Sequence, residues 1–440
     1  MRRRTARSTA VLAVGLTALV TAGCLSSSSD NSSGGEVTGE VKGSTVTIWT
    51  SLDQPVMDAL ASAMQPKAQA AGMTVKWSRV DNIKQLIMTK IQAKDTPDIA
   101  FIPQPGVVSD IVTRGAATPL DDVVDKSALG SSMIPGTLDA GTVDGKLYGL
   151  LVSANVKGLI FYPKKAWEEA GYPTEVASID DLNALTEQIK SDGNTPWCMG
   201  IESDTATGWP ATDWFETLVA KYNGVDVYNQ WVTNEVKFDS PEVRQAAEEF
   251  ETLMFTEGNV LGGREAIAST NFGTAGNPMF DAKPGCWMYN QGSFITGFFP
   301  EDILADLDAN VGVMGFPPAT AGGDNPVTGG GDLAMLLSEN DNAKTVMKYL
   351  SETDIGNDAA PSSSFISPHT DFNLSLYPSE TTKTIAGVAY ESTAFLFDGS
   401  DQMPGEVGAG TFWQDMTAWI SGQEDLDTAL SNIDASWPSS

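Results

Sequence analysis

The chain has 440 residues, with 57 acidic against 26 basic side chains and a formal net charge of −31. At 41% hydrophobic and 19% charged residues it has a globular composition, and its length suits about two or three domains. Such an excess of negative charge repels phosphate backbones and anionic headgroups, which argues against nucleic-acid binding and against electrostatic docking on a membrane. The single histidine, His369, excludes any zinc site that needs two, HExxH metalloproteases among them, and leaves one candidate base for a serine triad. Eleven tryptophans on an acidic chain suit recognition of neutral polar molecules.

Residues 1–23 read as a signal peptide. Arg2, Arg3, Arg4 and Arg7 form a basic start, and an apolar run from Ala10 to Val20 follows, too short to span a bilayer. Thr21-Ala22-Gly23-Cys24 resembles the bacterial lipobox, whose cysteine is acylated and becomes residue one; Thr21 stands where that motif prefers Leu. The alternative is ordinary secretion with Cys24 as an odd thiol. Residues 24–43, rich in Ser and Gly, form a flexible tether. With two acyl chains, at about 0.8 kcal/mol per buried CH₂, Cys24 would hold the protein on the extracellular face of the cell membrane.

Beyond the tether, strands and helices alternate. Ser44–Trp49 is a strand; Pro55–Ala71 is a helix with Val56, Leu60, Ala63 and Met64 on one face. Thr74–Arg79 is a second strand, residues 83–91 a second amphipathic helix, and Asp98–Pro103 a third strand followed by a turn at Gln104-Pro105-Gly106. This βαβαβ order predicts a mainly parallel, doubly wound α/β sheet. Asp144-Gly145 marks a hairpin turn, and Val152–Tyr162 reads as one long strand. Ser178 with Asp181 forms a capping box before a Leu182, Leu185, Ile189 stripe, and Pro241 sits where the first residue of a helix belongs. Val311–Phe316 and Asp332–Leu337 are further strands, 342–350 is a helix, and the last third is helical. Cys198 and Cys286, an even pair in an exported chain, predict a disulfide.

Seven segments together resemble the extracellular solute-binding lipoproteins of sugar ABC importers, in particular those for α-glucosides. They are DTPDIAFIPQPG, VDGKLYGLLVSANVKGLIFYPKKAWEEAGY, TPWCMGIES, ATGWPATDWFE, GCWMYNQGSFI, GGGDLAMLL and GEVGAGTFW. The TPWC, GWPATDW and GCW segments are the more discriminating. The resemblance implies an α/β, two-lobe periplasmic-binding-protein-like (type II) fold with a crossed hinge. Its lobes would be 44–153 with 312–355, and 154–311 with 356–440. It implies a monomer that captures sugar between the lobes and docks on the permease subunits of an ABC transporter, with no cofactor and no metal.

A neutral sugar needs aromatic faces for its C–H surfaces and charged or amide groups for its hydroxyls. Trp209, expected on a loop between Gly208 and Pro210, is the stacking candidate; Asp213 follows, while Trp214 reads as core on a helix starting near Asp213. Asp53 and Gln104 follow strands, where ligands of open α/β sheets bind, and both match contact positions of the family; capping or a plain turn is the competing reading. Asn155 and Lys157 fall at the first crossing between lobes, where cleft exposure would spare the lysine an unpaired burial. Tyr289 and Gln291 are expected on a turn. Asp332 follows Gly329-Gly330-Gly331, a run without the Lys-Ser/Thr of a P-loop. His369 reads equally as a ligand or a surface residue. Acid pairs such as Glu168-Glu169 and Glu248-Glu249 look like solvated helix faces, not a catalytic pair. A secreted glycosidase, or a receptor for a non-sugar solute, remains the alternative.

Overall fold

The computed structural model describes residues 45–362 and 364–438; the leader, Cys24 and the whole tether fall within residues 1–44 and lie outside them. β1 (Thr45–Thr50) follows the alternation of its sequence, burying Val46 and Ile48. α1 (Gln54–Ala70) buries Val56, Met57, Leu60, Met64 and Ala68 in the same core. β2 (Thr74–Arg79) and β3 (Ile99–Ile102) flank β1 in parallel, Val46 opposite Val75 and Ile48 opposite Ile99. α2 (Ile83–Ala93) connects β2 to β3, and α3 (Pro105–Thr113) follows directly, so the expected turn at Gln104 is a helix start. α4 (Lys126–Ser132) is capped by the Asp125 carboxylate. The hairpin of β4 (Thr142–Val143) and β5 (Lys146–Leu147) turns at Asp144 and Gly145, both at positive φ (49° and 77°), as its sequence predicts.

The run 152–162 is two strands, not one. β6 (Gly149–Val156) and β7 (Leu159–Pro163) part at Lys157-Gly158, where Gly158 adopts φ 66°. The break sends the strands to different sheets. β7 lies between β8 (Tyr289–Gln291) and β9 (Val311–Gly315), antiparallel to both. β10 (Val327–Leu336) pairs antiparallel with β6 along one edge; along the other it pairs antiparallel with β3 and parallel with β11 (Phe395–Phe397). The larger sheet is thus mixed, in the order β11-β10-β3-β1-β2 with β6 on β10. The expected parallel pairing holds among β1, β2 and β3 and between β10 and β11, whereas β10 runs antiparallel to β3 and β6 because it enters from the smaller sheet and not through a βαβ crossover. Residues 154–156 and 395–397, grouped with the second lobe by sequence, pair in the larger sheet; 312–315, grouped with the first, pair with β7 in the smaller one.

The buried apolar residues form two clusters, and the smaller sheet lies between them, giving Phe161 and Val313 to the first and Ile160 and Met314 to the second. The first gathers Val46, Ile48, Phe101, Leu333 and Met335. The second is built on α5 (Lys164–Ala170), α6 (Ile179–Ser191), α7 (Trp209–Val232) and α8 (Pro241–Phe255). Ser178 caps α6 at Asp181 N, 3.1 Å, and Ser240 caps α8 ahead of Pro241. Trp167, Trp197, Trp214, Trp231 and Trp419 are fully buried in the second core. A large share of the tryptophan content therefore serves packing; Trp197 meets Trp214 edge-on at 5.2 Å. The Cys198–Cys286 disulfide, Cα atoms 5.3 Å apart, closes an 88-residue span. The backbone brings the two together already, since Cys198 N donates to Met288 O. Among the described residues no helix is long and apolar enough to cross a membrane.

Candidate functional site

Lys157 sits at the break between β6 and β7, its backbone N donating to Thr328 O at 2.9 Å. Its ammonium donates to Asp213 Oδ1 at 2.8 Å and to Asp398 Oδ2, and Lys157 is 8% exposed, so the expected cleft exposure gives way to burial in which carboxylates from two distant elements meet the charge. Asp213 stands on α7 and Asp398 at the end of β11, so one cation joins the crossing, the second core and the larger sheet. Glu216, one turn along α7 from Asp213, accepts from Gly399 N (2.9 Å) and Ser400 N (3.0 Å), and Ser400 Oγ donates to Asp398 Oδ1 (2.7 Å). Asp213, Glu216 and Asp398 bring carboxylate oxygens within 4.8 Å of one another, and the cation among them is Lys157.

Burial alone would lower the Lys157 ammonium, but Asp213 and Asp398, with Glu216 and Asp401 beyond, hold it well above its ordinary value. Burial pushes Asp213 up to about 7 against the opposing pull of Lys157. Burial, reinforced by Asp398 and Asp213, raises Glu216 well above the usual carboxylate range. Asp398 goes the other way: burial opposes ionisation, yet its contact with Lys157 wins and lowers it. Desolvation, reinforced by the Asp398 charge, takes the half-buried Asp401 to about 7, although the Gln104 amide against it favours the charged form.

The structure gathers several sequence candidates here. Trp209 holds its ring centroid 5.8 Å from Lys157 Nζ. It opens α7 and is not on a loop: Gly208, at φ 112°, turns the chain, and Pro210 suits the first helical turn because that position needs no N–H partner. Trp214 is core, as its flanking sequence suggests. Gln104 reaches Asp401 while its Oε1 is buried without a hydrogen bond. Asn155 Oδ1 accepts from Ser293 Oγ at 2.8 Å. Tyr289 and Gln291 are on strand β8, not a turn, and both are buried; the Tyr289 hydroxyl donates to Phe272 O at 2.5 Å.

Asp332 and Asp53 form a separate pair on the larger sheet. Asp332 Oδ1 accepts from Ser51 Oγ at 3.3 Å, and burial with the Asp53 charge pushes Asp332 up to about 6. Asp53 occupies the residue before α1, but its side chain makes no capping bond and is exposed. His369 stands apart. It is 3% exposed, against Ser132 of α4 (Nδ1 to Oγ 3.5 Å), and burial lowers its pKa. The surface reading of His369 is therefore corrected: its backbone bridges to Met133, which draws the ring inside.

Glu216, Asp398 and Asp401 escaped the sequence reading. Glu216 left a signal, since it and Asp213 are the acids of a stretch whose other members, such as Trp214, Phe215 and Leu218, are buried apolar residues. Asp398 left none, because its partner is 241 residues away.

The profile of the bacterial extracellular solute-binding protein family matches residues 62–383. The chain is 35% identical over 416 residues to the alpha-glucosides-binding periplasmic protein AglE of Rhizobium meliloti (strain 1021), covering 91% of this chain and 88% of that one. It is 31% identical over 381 residues to the osmoprotective compounds-binding protein GgtB of Synechocystis, covering 87% and 89%. Among solved structures, the bacterial solute receptor AcbH superposes with TM-score 0.75 at 18% identity, over 89% of this chain and 97% of that one. The sugar-binding protein MalE of Xanthomonas citri superposes with TM-score 0.70 at 15% identity, over 89% and 96%. At such identities these structures speak to the fold alone: two α/β lobes of the type II periplasmic-binding-protein kind.

Proposed function

From the premise that the chain belongs to the bacterial extracellular solute-binding proteins, we propose that it captures an α-glucoside outside the cell and delivers it to the permease of an ABC importer. The observation that carries this reading is Trp209 poised over the Lys157–Asp213–Asp398 network at the crossing between the two sheets. It pairs an aromatic face with charged hydrogen-bonding groups, the combination a sugar requires. The 35% identity to AglE supports the α-glucoside class.

In this reading Asp53, Gln104 and Asp332 form the wall on the larger sheet, and Asn155, Lys157, Trp209 and Asp213 the opposite wall. The crossings at Lys157-Gly158, between β9 and β10, and after β11 act as the hinge. Sugar touching both walls favours the closed form by its differential affinity. Lipidation at Cys24 keeps the receptor beside its permease; Cys24→Ala should release it or block its processing. Lys157 holds Asp213 Oδ1 and Asp398, and backbone N–H groups hold Glu216, while Asp213 Oδ2 has no protein partner and is left to accept from a sugar hydroxyl.

A thermal-shift screen over about twenty sugars, followed by calorimetry and recovery of the ligand, tests the proposal. Binding near 1:1 with the sugar recovered intact supports it; hydrolysis of a chromogenic α-glucoside points to the glycosidase alternative. The similarity to GgtB favours a second reading, a small osmoprotective compound as solute, so such compounds belong in the same screen.

A further inference from the structure

Four polar side chains of α7, Asp213, Glu216, Thr217 and Lys221, are buried. Offsets of three, four and eight residues from Asp213 put them along one side of the helix. Each holds a place where the chain passes between the sheets. Asp213 takes Lys157 at the first crossing. Glu216 accepts from Gly399 N and Ser400 N, just past β11. Thr217 Oγ1 shares a 3.0 Å hydrogen bond with Thr328 Oγ1 of β10, and a Cβ at Gly158 would come within 3.3 Å of Thr217. Lys221 donates to Asn325 Oδ1, in the connection from β9 to β10. Asn325 is joined in turn to the chain ahead of β11: its N donates to Thr393 Oγ1 at 3.0 Å, and its O accepts from Thr393 N at 3.3 Å. Gly224, at φ 73°, interrupts α7 just beyond Lys221.

Lys221 is the member of this row that the binding site does not explain. It lies eight residues from Asp213, about 12 Å along the helix. Its side chain is 6% exposed, and among the described residues it has no carboxylate partner, so burial lowers it to about 7. The acids around it are engaged elsewhere: Glu216 holds backbone N–H groups, and Glu249 of α8 takes Tyr222 and Asn183. Glu175 and Glu391 border a cavity that Asn325 also lines. An apolar side chain would fill the same space without that cost. What the ammonium adds is a grip on Asn325.

We propose that Lys221 is a positioning residue for solute capture: through Asn325 and Thr393 it fixes the β9–β10 crossing and the approach to β11 on α7, and so sets the closing equilibrium of the lobes without touching solute. The inference rests on the reading of the crossings as a hinge that closes on a sugar. The helix that offers Trp209 and Asp213 to the solute at one end thereby holds the hinge at the other. With the crossings gripped, closure starts from a hinge already ordered. With Lys221 gone, the ligand-free chain opens wider, and part of the binding free energy goes into ordering the crossings again.

The test uses the mature protein, with maltose and trehalose as probes. Lys221→Met should lower the ligand-free melting temperature, because it deprives Asn325 Oδ1 of its donor. Lys221→Met combined with Asn325→Leu replaces both partners by apolar groups and should recover most of that loss. Calorimetry then separates packing from positioning. If Lys221 sets the closing equilibrium, the double variant still binds the tighter of the two probes about fivefold more weakly than wild type does. Small-angle scattering of the ligand-free double variant should also give a larger radius of gyration than wild type. Affinity that returns to the wild-type value together with stability shows that Lys221 only packs, and overturns the proposal. Failure of wild type to bind either probe counts against the α-glucoside reading and leaves the hinge to the ligand-free scattering. There, equal radii in wild type and the double variant overturn the proposal, and a larger radius in the double variant supports it.

Discussion

Lys157 Nζ lies 2.8 Å from Asp213 Oδ1, and both residues are more than nine-tenths buried. Lysine in an apolar strand is costly unless its charge is met, and here the chain meets it with carboxylates from two elements distant in sequence. The pair pins the backbone where one sheet ends and the other begins. It also sets what breaking it would do.

Replacing the lysine by an apolar residue of similar length leaves Asp213 and Asp398 facing one another without a cation. Removing one partner of a buried pair typically costs about 3–5 kcal/mol. Lys157→Met should therefore lower the urea midpoint of the ligand-free protein strongly, and Lys157→Met combined with Asp213→Leu should recover part of the loss. A Lys157→Met protein as stable as wild type would show that the pair contributes nothing.

The combined contribution of Asp213, Asp332, Asp401 and Lys221 to stability should pass through a minimum near pH 7. The folded chain keeps protons on Asp213 and Asp401 to about pH 7 and on Asp332 to about 6, whereas the unfolded chain releases them near 3.8. Between those values folding takes up protons, so this contribution is full at low pH and is lost as pH rises from about 4 to 7. Lys221 has the opposite sign. Burial lowers it to about 7 from 10.5, so its folded form sheds a proton that the unfolded form keeps, and stability recovers between about 7 and 10.5. Thermal denaturation across this range should show both limbs. Asp213→Asn should flatten the acid limb, and Lys221→Met the alkaline one.

Sugar affinity should depend more on Trp209 than on Asp53. An aromatic face contributes a large contact, whereas an exposed carboxylate contributes one screened hydrogen bond. Trp209→Ala should weaken the bound sugar about tenfold, and Asp53→Ala about two- to threefold. The first should also destabilise the ligand-free chain, by about 1–2 kcal/mol, because the ring packs on Phe272 and Phe294. Calorimetry with parallel melting curves separates the two effects. Wild-type affinity in Trp209→Ala would remove α7 from the cleft.

Cys198 and Cys286 should be fully oxidised in the exported protein. Alkylation without reductant, read by mass spectrometry, should find neither thiol. Replacing both with serine should cost about 4.6 kcal/mol in guanidinium denaturation, the chain-entropy value for a loop of this size. The bridge packs in the first core while its span of 88 residues encloses α7 and α8 of the second, so the loss should be felt by both.

Local features were legible in the amino acids themselves. The alternation in β1 and β2, the apolar face of α1, the Ser178 cap, the Asp144-Gly145 hairpin and the pairing of the two internal cysteines each depend on neighbours a few residues away or on a count. Motif resemblance indicated the family. Tertiary structure decided the rest. The run 152–162 reads as one strand because apolar residues dominate it on both sides of Lys157, and the two different sheets awaiting its halves explain why it breaks at Gly158. Trp209 looked like a loop residue because Gly and Pro flank it, yet those same residues start a helix once Gly208 takes positive φ. Tyr289 and His369 were drawn inside by backbone pairing that no local pattern announces. The charge network shows the physical reason most directly. A lysine's acceptable burial depends on which carboxylates the fold brings within hydrogen-bond reach, and here they come from 56 and 241 residues away.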